Sequence, residues 1–279
     1  MRGRFVAALG VVGLSACATV DLRPEGAAFD PAKYSAEEGR AWLERAAEGA
    51  GGFERYRAAG NVRIVFEDEW PSWLFRTFGS PWESDRVQID TRLGTDDGRV
   101  TFLDGAKHGW GVQRWVTYAF DANGLEVDDD PEFDPSFWVP TTLYFPQAVF
   151  RLLEADVIHY VGTKDVDGRA HAGVFVSWGK AEPQDEIDQY VAWIDVETKR
   201  LGWLEYTVRD YGDSFKGTMR YRDYRDVEGL KIPFRLTVVP ELGNDEQMGL
   251  HEYRYTSVTI GHDWPDSYLY PAPKRSGSK

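Results

Sequence analysis

The chain has 279 residues, 14% of them aromatic with eleven Trp, and a formal net charge of −14. That length can bury a full core, and one elaborated domain is the expectation. The negative charge would repel phosphate backbones and anionic headgroups, which excludes nucleic acid as a partner and disfavours adsorption to a membrane by charge alone.

Met1–Arg4 is basic and Phe5–Leu14 is apolar but too short to cross a bilayer as a helix, so the two read as a secretory leader. Leu14-Ser15-Ala16-Cys17 follows and resembles the bacterial lipobox. The resemblance implies a signal peptide at 1–16, cleavage before Cys17, thioether diacylation of Cys17 and acylation of the new amino terminus. The membrane would then be a partner through several acyl chains, which anchor where one would not. An ordinary leader that leaves a chance cysteine is the alternative. Cys17 is however the only cysteine, at the one position a lipobox requires. By the same resemblance, Ala18 in place of Asp after the anchor implies the periplasmic side of the outer membrane.

Residues 17–34 contain Pro24, Gly26 and Pro31 without periodicity and read as a tether, which fully extended reaches about 55 Å at about 3.3 Å per residue. Ser35-Ala36-Glu37-Glu38 is a capping box and Gly51-Gly52 a stop. The helix between them carries Trp42, Leu43, Ala46 and Ala47 on one face. Asn61–Glu69 alternates as a first strand. Trp70–Trp82 is rich in Trp70, Trp73, Leu74, Phe75 and Phe78, with Arg76 the only charge. It reads either as a buried crossover on the sheet or as an exposed loop that touches a membrane or partner. Arg86–Leu93, Arg99–Leu103 and Gly109–Phe120 are further strands. The acidic stretch from Leu125 to Pro135 lacks the D-x-D-x-D-G order of a calcium loop and reads as solvated. Thr141–Ala155 is a second helix with Pro146 in its first turn. Val157–Gly162 and Ala172–Trp178 form a hairpin, Met248–Ile260 is the last strand, and 264–279 reads as a C-terminal tail.

The period of two is clearest from Gln189 to Pro240. Leu204, Tyr206 and Val208 alternate with Trp203, Glu205, Thr207 and Arg209. Met219 and Tyr221 alternate with Arg220 and Arg222, and Phe234 and Leu236 with Arg235 and Thr237. Three such runs, broken at Asp195–Arg200, Asp210–Ser214 and Asp226–Gly229, make an antiparallel meander with one apolar and one wet face. Pro233 cannot donate to a ladder, so its strand lies at an edge or is bulged there.

The D-x-x-T turn at Asp195–Thr198, the Tyr-rich strand at Tyr221–Tyr224 and G-x-x-I-P at Gly229–Pro233 resemble the later strands of the outer-membrane lipoprotein-sorting (LolA/LolB-like) superfamily. Lys199 departs from the Gly usual in that turn. The resemblance implies an α+β fold, mainly antiparallel β: a curved, unclosed half-barrel over 35–263, with helices covering the concave apolar face.

Five histidines make no H-x-x-x-H pair, and there is no P-loop, G-x-S-x-G or dinucleotide fingerprint. No catalytic residue, no metal site and no cofactor is therefore expected. The leading reading is a non-enzymatic, lipid-anchored protein that binds a hydrophobic ligand such as lipid or lipoprotein acyl chains, in lipid or lipoprotein transport. Leu204, Tyr206, Val208, Met219, Tyr221, Phe234 and Leu236 would line its cavity. The alternative is an envelope scaffold or sensor that meets a protein partner and whose cavity is filled by side chains.

Overall fold

The computed structural model describes residues 19–104, 108–127, 134–244 and 249–269. Its centre is one antiparallel sheet of thirteen strands. The first half comprises β1 (Asn61–Glu69), β2 (Arg86–Arg92), β3 (Gly98–Phe102), β4 (Gly109–Gln113), β5 (Val116–Phe120) and β6 (Glu126–Val127). The second half comprises β7 (Val157–Val166), β8 (Arg169–Ser177), β9 (Tyr190–Asp195), β10 (Leu201–Thr207), β11 (Lys216–Val227), β12 (Leu230–Val239) and β13 (His251–Ile260). The order runs β6-β5-β4-β3-β2-β1-β13-β12-β11-β10-β9-β8-β7, so two meanders meet where β1 pairs with β13 and the ends stay unpaired. This is the expected unclosed half-barrel.

Alternation sets which side faces inward. Val62, Ile64 and Phe66 of β1 are buried while Arg63, Val65 and Glu67 are partly solvated. The concave face is covered by α1 (Ala36–Gly49), α2 (Phe53–Ala59), α3 (Trp73–Gly79), α4 (Pro135–Tyr144) and α5 (Ala148–Arg151). Ser35 Oγ accepts from Glu38 N at 3.0 Å, as the capping box predicts, which stabilises α1 by about 1 kcal/mol. Leu43 of α1 is fully buried, a contribution of about 2 kcal/mol. The helix lies backbone-close on β7: a Cβ on Gly39 would meet Tyr160 N at 2.6 Å.

Five sequence expectations need correction. Gly109–Phe120 is two strands, because Arg114 and Trp115 take φ of +48° and +66° and reverse the chain. The second helical stretch starts at Pro135, capped by Asp134, and Pro146 sits in a 3-10 turn after α4. The face expected to be wet carries its own apolar cluster, in which Phe175, Trp193, Trp203 and Val239 pack with Leu22 and Phe29. Residues 20–34 therefore lie against the sheet and do not hang as a tether: Val20 N donates to Asp213 O at 2.7 Å and Arg209 Nη2 to Val20 O at 2.6 Å. Arg209, expected in water, is buried by these contacts.

The stretch read as a tail is also packed as far as α6 (Asp266–Leu269), where Leu269 is buried and Arg99 Nη1 donates to Tyr268 O at 2.8 Å. Pro233 pairs with Tyr224 on β11, while the β12–β13 ladder begins only at Arg235, so β12 is locally an edge at the proline.

Candidate functional site

The strands bring one end of the sheet together. Lys216 pairs with Thr207, Val239 with Thr218, Val238 with His251 and Glu69 with Glu252. The connection holding Arg209–Tyr211, the segment between β12 and β13, and α3 after β1 consequently all emerge at that end. There the concave face keeps a cavity of about 170 Å3 under α3 and α4. Eight aromatic side chains wall it, among them Trp70, Phe137, Phe145, Tyr206, Phe215 and Tyr253, with Met219 and Val208 between them. A smaller hollow of about 40 Å3 lies between α2, α5 and β12.

Among the residues proposed from sequence, Tyr206, Val208 and Met219 line the larger cavity and Tyr221 the smaller one. Leu204 and Leu236 are fully buried and Phe234 nearly so, all packed in the main core. Tyr206 and Tyr221 are pushed above the ordinary tyrosine range by burial, so both stay neutral phenols. The sequence reading left out Phe137, Tyr211, Phe215 and Tyr253. Burial, reinforced by Asp134 and Asp210, pushes Tyr211 up to about 12.

The Trp70–Trp82 stretch divides. Trp82 is buried in the core, and Trp70 stacks on His251 at 4.4 Å in the cavity wall. Trp73 is 76% and Leu74 46% exposed on α3. Phe75 and Phe78 share that helix, but their side chains lie outside the described residues, as do Cys17 and residues 128–133 of the acidic stretch.

His251 Nδ1 lies 2.9 Å from Asp68 Oδ1, a buried pair at the cavity floor. The other four histidines are apart from it: His108 meets Glu83, His159 the carbonyl of Tyr34, His171 that of Arg169, and His262 Thr259. Among the described residues no three His, Cys, Asp or Glu side chains gather as a metal site, and no helix is long and apolar enough to cross a membrane.

The chain is similar in fold to LolA-superfamily proteins. A LolA superfamily protein from Nitrosomonas europaea aligns at 11% identity and TM-score 0.46, over 83% of this chain and 96% of its own. A DUF1329 family protein from Desulfovibrio piger aligns at 11% identity and TM-score 0.47, with the same coverage of both chains. A domain described as outer membrane lipoprotein-sorting, from Vibrio parahaemolyticus, aligns at 10% identity and TM-score 0.45, over 85% of this chain and 97% of its own. No protein-family model matches the sequence, and neither does any curated protein.

What the site can do chemically follows from its walls. Apolar and aromatic surface attracts an apolar ligand by removing it from water, at about 0.8 kcal/mol per methylene, with no charged contact needed. The volume sets the scale: about 170 Å3 is close to the roughly 150 Å3 of an apolar cavity that takes up benzene. A ring or the end of a chain fits as the side chains stand. A longer chain requires α3 or α4 to move outward.

Proposed function

We propose that the protein is a lipid-anchored lipoprotein of the outer membrane, facing the periplasm, that takes the apolar part of a lipid or acylated ligand into the cavity beneath α3 and α4. The observation that carries this is the aromatic cavity on the concave face, lined by Tyr206, Val208 and Met219, at the sheet end that also presents Trp73 and Leu74. Those two side chains are the surface through which a bilayer or an envelope protein would meet the cavity mouth. Anchoring falls to Cys17. Capture and release need no covalent step and no cofactor.

Native mass spectrometry of the unacylated mature chain tests the proposal. Bound lipid, or a mass shift on adding lipid, supports it. The absence of both would favour the scaffold or sensor reading. That second reading draws its support from the complete burial of Leu204 and Leu236, which leaves much of the concave face filled.

A further inference from the structure

A second hollow adjoins the aromatic cavity, and its walls carry different chemistry. It measures about 290 Å3 and shares Phe137, Thr141, Phe145, Tyr206 and Val208 with the first. Past that shared wall stand the rings of Trp115 and Tyr144 and the carboxylates of Asp96, Glu186, Asp188 and Asp210.

Asp96 is neutralised by Arg151, whose Nη1 lies 3.0 Å away. The other three acids have no ion-pair partner among the described residues. Asp188 accepts hydrogen bonds only from neutral groups, Thr207 Oγ1 at 2.8 Å and Arg209 N at 2.9 Å, and burial pushes its carboxyl up against the weaker opposing pull of the Arg209 charge. Partial burial and the neighbouring Asp134 push Asp210 up as well. The buried hydroxyl of Tyr144 has no hydrogen-bond partner. Trp115, 66% exposed, is held at the mouth by the left-handed turn between β4 and β5.

Carboxylates that outnumber the nearby cations, beside an aromatic face, attract a cation, and the ring adds most when that cation is bulky and weakly hydrated. A hard metal ion would ask for converging oxygens, which the described residues lack. An anionic head would meet three acids in a chain of net charge −14.

We infer that the two hollows form one amphipathic site, in which the apolar chain of an amphiphile enters the aromatic cavity and its ammonium head rests between Trp115 and the carboxylates of Glu186, Asp188 and Asp210. This rests on the proposed apolar-ligand reading and adds the class of head group.

The test is titration calorimetry of the unacylated chain at low salt with three twelve-carbon ligands below their micelle concentrations: dodecyltrimethylammonium, dodecyl maltoside and dodecanoate. The cationic ligand should bind roughly tenfold tighter than the neutral one, and dodecanoate weakest. Glu186→Gln with Asp210→Asn, both at exposed positions, should bring the cationic ligand down to the neutral one's affinity and leave the neutral one unchanged. The pair removes only two of the chain's many acids, so general attraction of cations persists in it and a loss must be local. Trp115→Leu, which keeps an apolar side chain, should also reduce the cationic preference. Equal affinity for cationic and neutral ligands in the unaltered chain overturns the head-group assignment while the apolar cavity stands. A cationic preference that survives the double substitution overturns it too. Binding of none of the three defeats the apolar-ligand reading itself.

Discussion

Met219 is where the packing and the proposed binding meet. It is fully buried, lies between Leu204 and Val238 in the ladder, and forms part of the cavity wall. Met219→Ala removes three side-chain heavy atoms, a loss of about 2.4 kcal/mol at about 0.8 kcal/mol for each methylene-sized group. Space of about 60 Å3 left unrelaxed would cost about 1.4 kcal/mol more, at about 24 cal/mol per Å3. Neighbours that already border a hollow can relax into it, so about 3 kcal/mol is the expected loss. Urea unfolding of the unacylated chain, followed by tryptophan fluorescence, measures it. The enlarged hollow should also accept small apolar molecules, and one present at a hundred times its Kd restores about 2.7 kcal/mol. A loss below about 1 kcal/mol, or no recovery with benzene or short alkanes, would refute the description of this wall as packed and apolar.

Other expectations follow from single contacts. Cys17→Ser should release the protein to the soluble periplasmic fraction on cell fractionation, and retention in the membrane would rule out the acyl tether. Trp73→Ser with Leu74→Ser should leave unfolding within about 0.5 kcal/mol, because both are exposed, yet weaken vesicle flotation of the unacylated chain. Gly39→Ala should cost at least about 2 kcal/mol in denaturant unfolding despite the better helix propensity of Ala, since its Cβ would press on the β7 backbone. Burial alone would push Asp195 up, but hydrogen bonds from Arg169 and Thr198 outweigh it and hold the carboxyl at about 2, against 3.8 unperturbed. A depressed native value stabilises above the unfolded one, so the contribution is complete above about pH 4 and lost as pH falls towards 2. Screening at half-exposed Arg169 leaves about 1 kcal/mol of it. The stability gap between the unaltered chain and Asp195→Asn should therefore narrow over that range, and a constant gap would contradict the pairing.

The sheet was legible where alternation and turn chemistry agreed. Asn61–Glu69 and the three runs ending at Pro240 show both, and Gly229 closes its hairpin at φ +88°. The split of Gly109–Phe120 was hidden because Arg114 and Trp115, side chains without turn preference, hold the left-handed positions themselves. Lys199 does the same at φ +59°, which accounts for a turn the chain makes without glycine. Asp134-Pro135 is a cap followed by an N1 proline, a signal masked in the sequence by the acidic residues that run into it. The convex cluster was missed for another reason: Trp193 and Trp203 stand at positions that alternation assigns to water, and only the returning N-terminal segment covers them.

Half of the cavity was readable from strand periodicity, which placed Tyr206, Val208 and Met219 on one face. The other half comes from α3, α4 and the connection at Tyr211, elements with no period of two. The mouth was invisible because Glu186 and Asp188 lie in the connection before β9 and Asp210 in the one after β10, two loops that only the fold brings together.

The clasp of Val20 by Arg209 and Asp213 would fix how far the body could stray from a lipid carried on Cys17. Only Ala18 and Thr19 separate Val20 from Cys17, a leash of about 10 Å over three residue steps. An acylated Cys17 would hold the Tyr211 end of the molecule down at the leaflet, cavity foremost. Delivery across the envelope would then require that clasp to be undone first, freeing a strap several times longer.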